Sequence, residues 1–226
     1  MSLDVIVADD HPVARIGIRM VVERALGPAC RVAEADGVDA LHRLLAGRCP
    51  DLLVTDLHMP GGARQDGVAM LRQLHWQHPR LPIVLLTGSR NLGLLRRCAE
   101  WGVRCVLSKQ DDVEQLVAAL RCAQAGQSFL GSDLQARLQL LHPGAAWPWT
   151  LPPLSPCERT VVIEWGERAT LTQIAERRRR SLNTISRQKV MAMHKLCVDS
   201  DVELMELLRN GLVERGGGQV REPRCR

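Results

Sequence analysis

Residues 51–62 read DLLVTDLHMPGG, from Asp51 to Gly62. Leu52, Leu53, Val54 and Thr55 form a short apolar and β-branched run that stops at Asp56, just before the turn formers Pro60, Gly61 and Gly62. A run of this length is a strand covered on both faces, as in a parallel sheet, and it carries a carboxylate at its C-terminal end. The same form recurs on either side as LDVIVA (3–8), RVAEA (31–35), LPIVLLT (81–87) and VRCVLS (103–108). Between the runs lie amphipathic, helix-length segments near Pro12 to Leu26, Gly37 to Ala46, Gly67 to His78 and Leu92 to Trp101, with a last one from Asp111 to Ala125. Alternation of this kind predicts an α/β domain over residues 1–127, a doubly wound parallel sheet of five strands.

The pattern changes after Gln127. Five of the twelve prolines fall between Pro143 and Pro156, so residues 128–153 read as a linker with one short helix near Asp133 to Leu141. From Leu154 the periodicity is helical only. Ser155 with Glu158 has the form of a capping box, opening a helix to about Trp165. Further helices are expected over Thr172 to Arg178, Ser181 to Cys197 and Val202 to Leu208, giving an all-α four-helix domain over 154–210 and a flexible tail over 211–226.

Composition limits the function classes. With 46% hydrophobic and 24% charged residues the chain of 226 residues is globular rather than disordered. No apolar stretch approaches the roughly 20 residues that cross a bilayer. The acidic start MSLDVIVADD is unlike a secretory leader, so a cytoplasmic protein without a membrane partner is expected. The eight cysteines show no CxxC and no zinc spacing, and read as reduced thiols, either small buried apolar residues or free surface groups. Tyr is absent and Phe occurs once, which argues against base stacking on aromatic platforms. Charge is uneven: residues 1–126 hold 15 basic and 14 acidic residues, and residues 154–226 hold 14 and 10. Arg177 to Lys195 contains seven basic residues and no acidic one, which points to a polyanionic partner.

Functional groups of a parallel sheet gather at the carboxyl ends of its strands. There this sequence places Asp9 and Asp10 (first strand), Asp56 (third), Thr87 (fourth) and Lys109 (fifth). Each alone could cap a helix or face solvent, but together they describe one site. Carboxylates gathered this closely repel unless a hard divalent cation such as Mg²⁺ joins them, and that ion also accepts a phosphate oxygen. Asp56 is then a nucleophile able to form an acyl phosphate while metal and lysine neutralise the developing charge.

These motifs, VADD, TDLHMPGG, LLTGS and SKQ, stand in the order and spacing of the receiver domain of two-component response regulators, which residues 1–127 resemble. The resemblance implies a flavodoxin/CheY-like fold. It makes Asp56 the phosphoacceptor, and Asp9, Asp10, Asp56 and the backbone carbonyl of His58 the Mg²⁺ ligands. Thr87 becomes the switch hydroxyl and Lys109 the phosphate-pairing lysine. Where the family often has an aromatic three residues before the lysine, this chain has Val106.

In the C-terminal domain, two helices joined by a tight turn, the second long and basic, describe a helix-turn-helix. Ile185, Ala192 and Leu196 recur at helical spacing and should face its core, with Gln188 or Lys189 at the margin. Asn183, Ser186, Arg187, Val190 and His194 then form the outer face, which offers donors to bases and phosphates. The segment from Leu154 to about Leu208 resembles the LuxR-type DNA-binding domain of the NarL/FixJ class. Its wording SLNTISRQKVMAMHKL is nearest to the RcsB subgroup, where a glutamine stands at the place of Gln188. By that resemblance Ser186, Arg187 and Val190 fall where bases are reached. Thr184, Lys189 and Lys195 look like backbone or flanking contacts, and Asn183 stands where the family prefers lysine. Arg180 joins this set at the end of the arginine run.

The combination implies a transcription regulator of a two-component phosphorelay, not a turnover enzyme. Its partners would be double-stranded DNA, a histidine kinase or phosphotransfer protein, and a second copy in a homodimer or an auxiliary regulator in a heterodimer. Two rival readings stand beside it. One is a phosphohydrolase using the same carboxylates, for which no second acid/base is evident. The other is an atypical regulator that acts through partner contacts independently of phosphorylation.

Overall fold

The computed structural model describes residues 2–47, 49–59, 67–148 and 153–213. The chain divides into two compact units, Met1–Trp149 and Thr150–Arg226. In the first, β1 (Leu3–Ala8), α1 (Pro12–Leu26), β2 (Cys30–Ala35), α2 (Val38–Gly47), β3 (Leu52–Asp56), α3 (Gly67–Gln77), β4 (Ile83–Thr87), α4 (Leu92–Glu100), β5 (Cys105–Ser108) and α5 (Val113–Gln124) alternate as expected. The strands are parallel in the order β2-β1-β3-β4-β5, to which a short sixth strand is added.

The side chains of successive strand residues point to opposite faces. Val5, Val7, Leu52, Val54, Val84, Leu86, Cys105 and Leu107 therefore share one face and pack against Val22 of α1 and Leu116, Ala119, Leu120 and Ala123 of α5. All five residues of β3 and of β4 are buried, the signature of strands covered on both sides. Gly67, at the start of α3, passes so close to the Leu57 carbonyl that a Cβ would lie 1.4 Å from its oxygen, so no side chain fits beside the end of β3.

The sixth strand corrects the five-stranded expectation. Phe129–Leu130 forms β6 beside Cys105 and Val106, and α6 (Ser132–Leu141) follows with Leu134 and Leu138 fully buried. The first part of the stretch read as linker thus belongs to the first unit. The physical reason is the edge of β5: an unpaired parallel edge strand exposes its N–H and carbonyl groups, and a following segment long enough to turn back covers them. Residues 149–152 and the tail from 214 lie outside the described residues.

The second unit contains α7 (Pro156–Gly166), α8 (Leu171–Arg178), α9 (Leu182–Leu196) and α10 (Asp201–Arg209). Ser155 and Glu158 form the expected capping box, and Thr170 with Gln173 forms another at α8. Val161, Ile174, Ala175 and Ile185 make the core, with Trp165 packed against it. No helix among the described residues is long and apolar enough to cross a membrane. Cys98 and Cys105 are buried, and burial pushes both thiols up to about 12, so neither is a nucleophile near neutral pH.

Candidate functional site

The register of the sheet assembles the first site. Ala8 pairs with Thr55, so Asp9 and Asp56 occupy equivalent places at the ends of β1 and β3, where the strand order reverses. Asp9 is fully buried and Asp56 nearly so. The Lys109 ammonium bridges them, 2.9 Å from Asp9 Oδ2 and 2.8 Å from Asp56 Oδ2. Burial by itself lowers the pKa of that ammonium, but the hydrogen bonds and negative charge of Asp56 and Asp9 outweigh it and the net direction is up. A raised lysine pKa means the bridge is fully present below the ordinary value and is lost only as pH climbs through the raised one, so Lys109 stays charged at neutral pH.

Ligand atoms of Asp9, Asp10, His11 and Asp56 all lie within 4.8 Å of one another. Asp56 Oδ1 is buried with no hydrogen-bond partner, an acceptor left unmet on a residue of the cluster. A set of carboxylate oxygens that includes the unmet Asp56 Oδ1 fits a hard, oxygen-seeking cation. His58 is exposed, two residues beyond Asp56 and between the buried Leu57 and Met59. Thr87 is fully buried at the end of β4, its Oγ1 accepting the N–H of Ser89 at 3.0 Å. Its carbonyl accepts the N–H of Lys109 at 2.9 Å, which ties the two strand ends together.

Two residues of this site lay outside the sequence reading. His11 follows the acidic pair directly and lies 2.8 Å from Asp10 Oδ1 through Nδ1. Its place in DDHP was the available signal. Arg15 donates to the Asp9 carbonyl at 2.7 Å and pairs with Glu34 at 3.1 Å, bracing the end of β1. No local motif marks it, because its partners come from two other elements. Val106 is fully buried, aligned with Leu85 of β4 and Leu130 of β6. It has no large ring to reorient.

In the second unit Ser181 caps α9 by accepting the Thr184 N–H at 3.2 Å, and Arg179 takes the left-handed conformation at the end of α8. Ile185, Ala192 and Leu196 face inward. Arg180, Asn183, Thr184, Arg187 and Val190 are exposed, as is His194, and Ser186 is half-buried. Lys189 and Lys195 depart from the expected flanking role. Lys189 is buried, its Nζ 2.6 Å from Asp201 Oδ1 and 3.9 Å from the centre of the Trp165 ring. Helical spacing explains this, since position 189 shares the inner face with 185, 192 and 196. The Lys195 ammonium lies 2.8 Å from Glu158 Oε2. For Glu158, burial favours the neutral acid, but the hydrogen bonds from Lys195 and the Ser155 N–H overcome it and lower its pKa. Arg178 pairs with Glu164 at 2.6 Å. The charge remaining on the exposed surface of the basic run is that of Arg177 near the end of α8, Arg179 and Arg180 between the helices, and Arg187 on α9.

Residues 5–121 match the family described as the response regulator receiver domain. The chain belongs to the response regulators. Among characterised proteins this response regulator is 32% identical over 207 residues to the transcriptional regulatory protein RcsB of Escherichia coli K12, a match that covers 92% of the chain and 94% of the relative. Among solved structures it is similar to one of two RcsB dimers bound to two parallel DNAs, at 31% identity and a TM-score of 0.81, covering 93% of this chain and 99% of the other. A second such structure is RcsB from Salmonella enterica serovar Typhimurium bound to promoter DNA in the presence of the phosphomimetic BeF₃⁻. There the identity is 31% and the TM-score 0.79, with the same coverage.

Proposed function

We propose that this response regulator is a phosphorylation-controlled transcription regulator that takes a phosphoryl group on Asp56 from a histidine kinase or phosphotransfer protein and binds double-stranded DNA as a dimer. The observation that carries the reading is the bridge from Lys109 to Asp56 and Asp9, beside the unmet Asp56 Oδ1, in a chain that continues into a basic helix-turn-helix. Asp9, Asp10 and Asp56, with the carbonyl of His58, would hold Mg²⁺, which supplies charge neutralisation for the transferring phosphoryl group. Asp56 attacks phosphorus as the donor's phosphorus–nitrogen bond breaks, and an acyl phosphate forms. Lys109 then pairs with the phosphoryl oxygens and Thr87 offers its hydroxyl.

The dimer has a surface suited to it. Val13, Ile16 and Met20 recur on one side of α1 and are exposed, and Met20 lines a groove with Val113 and Val117 of α5. An exposed apolar face of this kind on a receiver fits a second copy of the same face. The function is tested by measuring the affinity of the full chain for an operator, selected from random duplexes, with and without Mg²⁺ and acetyl phosphate. Tighter binding with the donor is expected, and equal binding in both states overturns the reading.

On the DNA side, Arg187 is assigned to a base edge and Arg179 to the phosphate backbone. Arg187→Ala should cost about 1–3 kcal/mol on the operator, on the order of tenfold for each 1.4 kcal/mol, and much less on random duplex. Arg179→Ala should weaken both and reduce the slope of log K against log salt by about 1. Alanine and arginine bear the left-handed φ alike, so that change isolates the charge. Fluorescence anisotropy across a salt series separates the two. Identical behaviour of both variants on operator and random DNA would contradict the assigned faces.

A further inference from the structure

We infer that α6 is held by a clamp built from the two loops that follow Thr87 and Lys109, and that phosphorylation of Asp56 loosens this clamp on its Arg90 side and with it the first turn of the helix that precedes the DNA-binding unit in the sequence. The inference rests on the phosphorylation proposed above. The first turn of α6 is bonded from two directions. From the β4–α4 loop, Arg90 Nη2 donates to Asp133 Oδ1 at 2.9 Å. From the β5–α5 loop, Asp111 Oδ1 accepts both the Ser132 hydroxyl and the Asp133 N–H at 3.1 Å. Gln115 adds a reciprocal pair, its Oε1 accepting the Ser132 N–H and its Nε2 donating to the Ser132 hydroxyl, both at 2.7 Å.

Each side of the clamp begins within three residues of a group that responds to charge at Asp56. Ser89, immediately before Arg90, donates its N–H to Thr87 Oγ1. The second oxygen of Asp111 accepts the N–H of Ser108, the residue before Lys109, at 2.8 Å. Gly131 lies so close that a Cβ there would sit 1.9 Å from that Asp111 oxygen, so any side chain there would displace the Asp111 carboxylate. When the Thr87 hydroxyl turns to a phosphoryl group, the Ser89 N–H loses its acceptor and the segment carrying Arg90 shifts. The Arg90–Asp133 pair is the weaker side of the clamp. It is partly solvent-exposed, and it engages one Asp133 oxygen while the other is buried without a partner. The buried Val106 offers no ring to carry the movement, whereas the clamp runs from Thr87 through Ser89 and Arg90 to Asp133 of α6 by direct hydrogen bonds.

The test is hydrogen exchange read by mass spectrometry on peptides covering Ser132 to Leu141 of the full chain, with and without Mg²⁺ and acetyl phosphate, and with intact mass taken on the same samples. In the native sequence, phosphorylation should speed exchange in the first turn of α6 by up to roughly fivefold, what loss of one partly exposed ion pair permits. Asp133→Asn should exchange fast already without donor and show no further change, while taking up phosphate normally. Exchanging the charges, Arg90→Asp with Asp133→Arg, should restore both protection and its dependence on phosphate. Unchanged exchange in a chain whose mass shows the phosphoryl group would overturn the clamp alone. A native-sized response in Asp133→Asn would do the same. Absence of phosphate uptake would overturn the proposed function and this inference with it.

Discussion

Asp56→Asn is expected to abolish phosphoryl uptake from acetyl phosphate in the presence of Mg²⁺, with intact mass showing no phosphorylated species where the native chain shows one group per molecule. The amide keeps the size of the carboxylate but is not a nucleophile, and it leaves Lys109 paired with Asp9 at 2.9 Å, so the loss reports chemistry rather than unfolding. Two further variants separate the parts of the site. Asp10→Ala should lose uptake through loss of metal affinity, and higher Mg²⁺ should recover part of it. Lys109→Met keeps the nucleophile but removes the positive charge placed where the phosphoryl charge develops, and a rate lower by about 10²–10³ is expected. Equal uptake by Asp56→Asn would remove Asp56 from the role. Full DNA-binding response by that variant under a phosphodonor would favour regulation through partner contacts instead.

Joining two copies of the DNA-binding unit should replace phosphorylation. The fragment from Leu154 to Arg226 has its own core around Val161, Ile174 and Ile185, and its helices are capped from within. It should bind a half-site weakly and constitutively. A leucine-zipper fusion of the same fragment should bind a two-half-site operator about 10²–10⁴ more tightly, because the second contact becomes intramolecular. Phosphorylation acts on a group in the other unit and can shift a receiver equilibrium by about 1–3 kcal/mol, which is ample to change the dimer population. Anisotropy on one operator compares the fragment, the fusion, and the full chain with and without donor. If the fusion binds no better than the fragment while the phosphorylated full chain binds strongly, dimerisation is not the carrier and a specific contact between the units must be.

Much of the fold is local information. Runs such as LLVT or IVLL are readable because a strand buried on both faces needs only consecutive apolar residues. The polar residue that ends each run marks where the strand meets the site, so Asp9, Asp56, Thr87 and Lys109 could be placed at the carboxyl edge without coordinates. The Ser155–Glu158 capping box and the inward face of α9 were readable for the same reason, since both depend on residues three or four apart.

Short-range patterns along the chain thus set the alternation of strands and helices, the strand ends that carry chemistry, and the helix-turn-helix with its inner and outer faces. Beyond that strand-end cluster, the partners of the charged groups were set by packing between distant elements. Lys189 turns to Asp201 and Trp165, Lys195 to a carboxylate 37 residues earlier, and Arg90 to Asp133, 43 residues later. The same packing also decided that the two-residue strand Phe129–Leu130 closes the edge of β5 and brings α6 beside the loops of the site. The physical reason is range. Periodicity and capping are set by neighbours within one helical turn or strand step, whereas the partner of a long charged side chain is whichever opposite charge the packing of distant elements carries within reach.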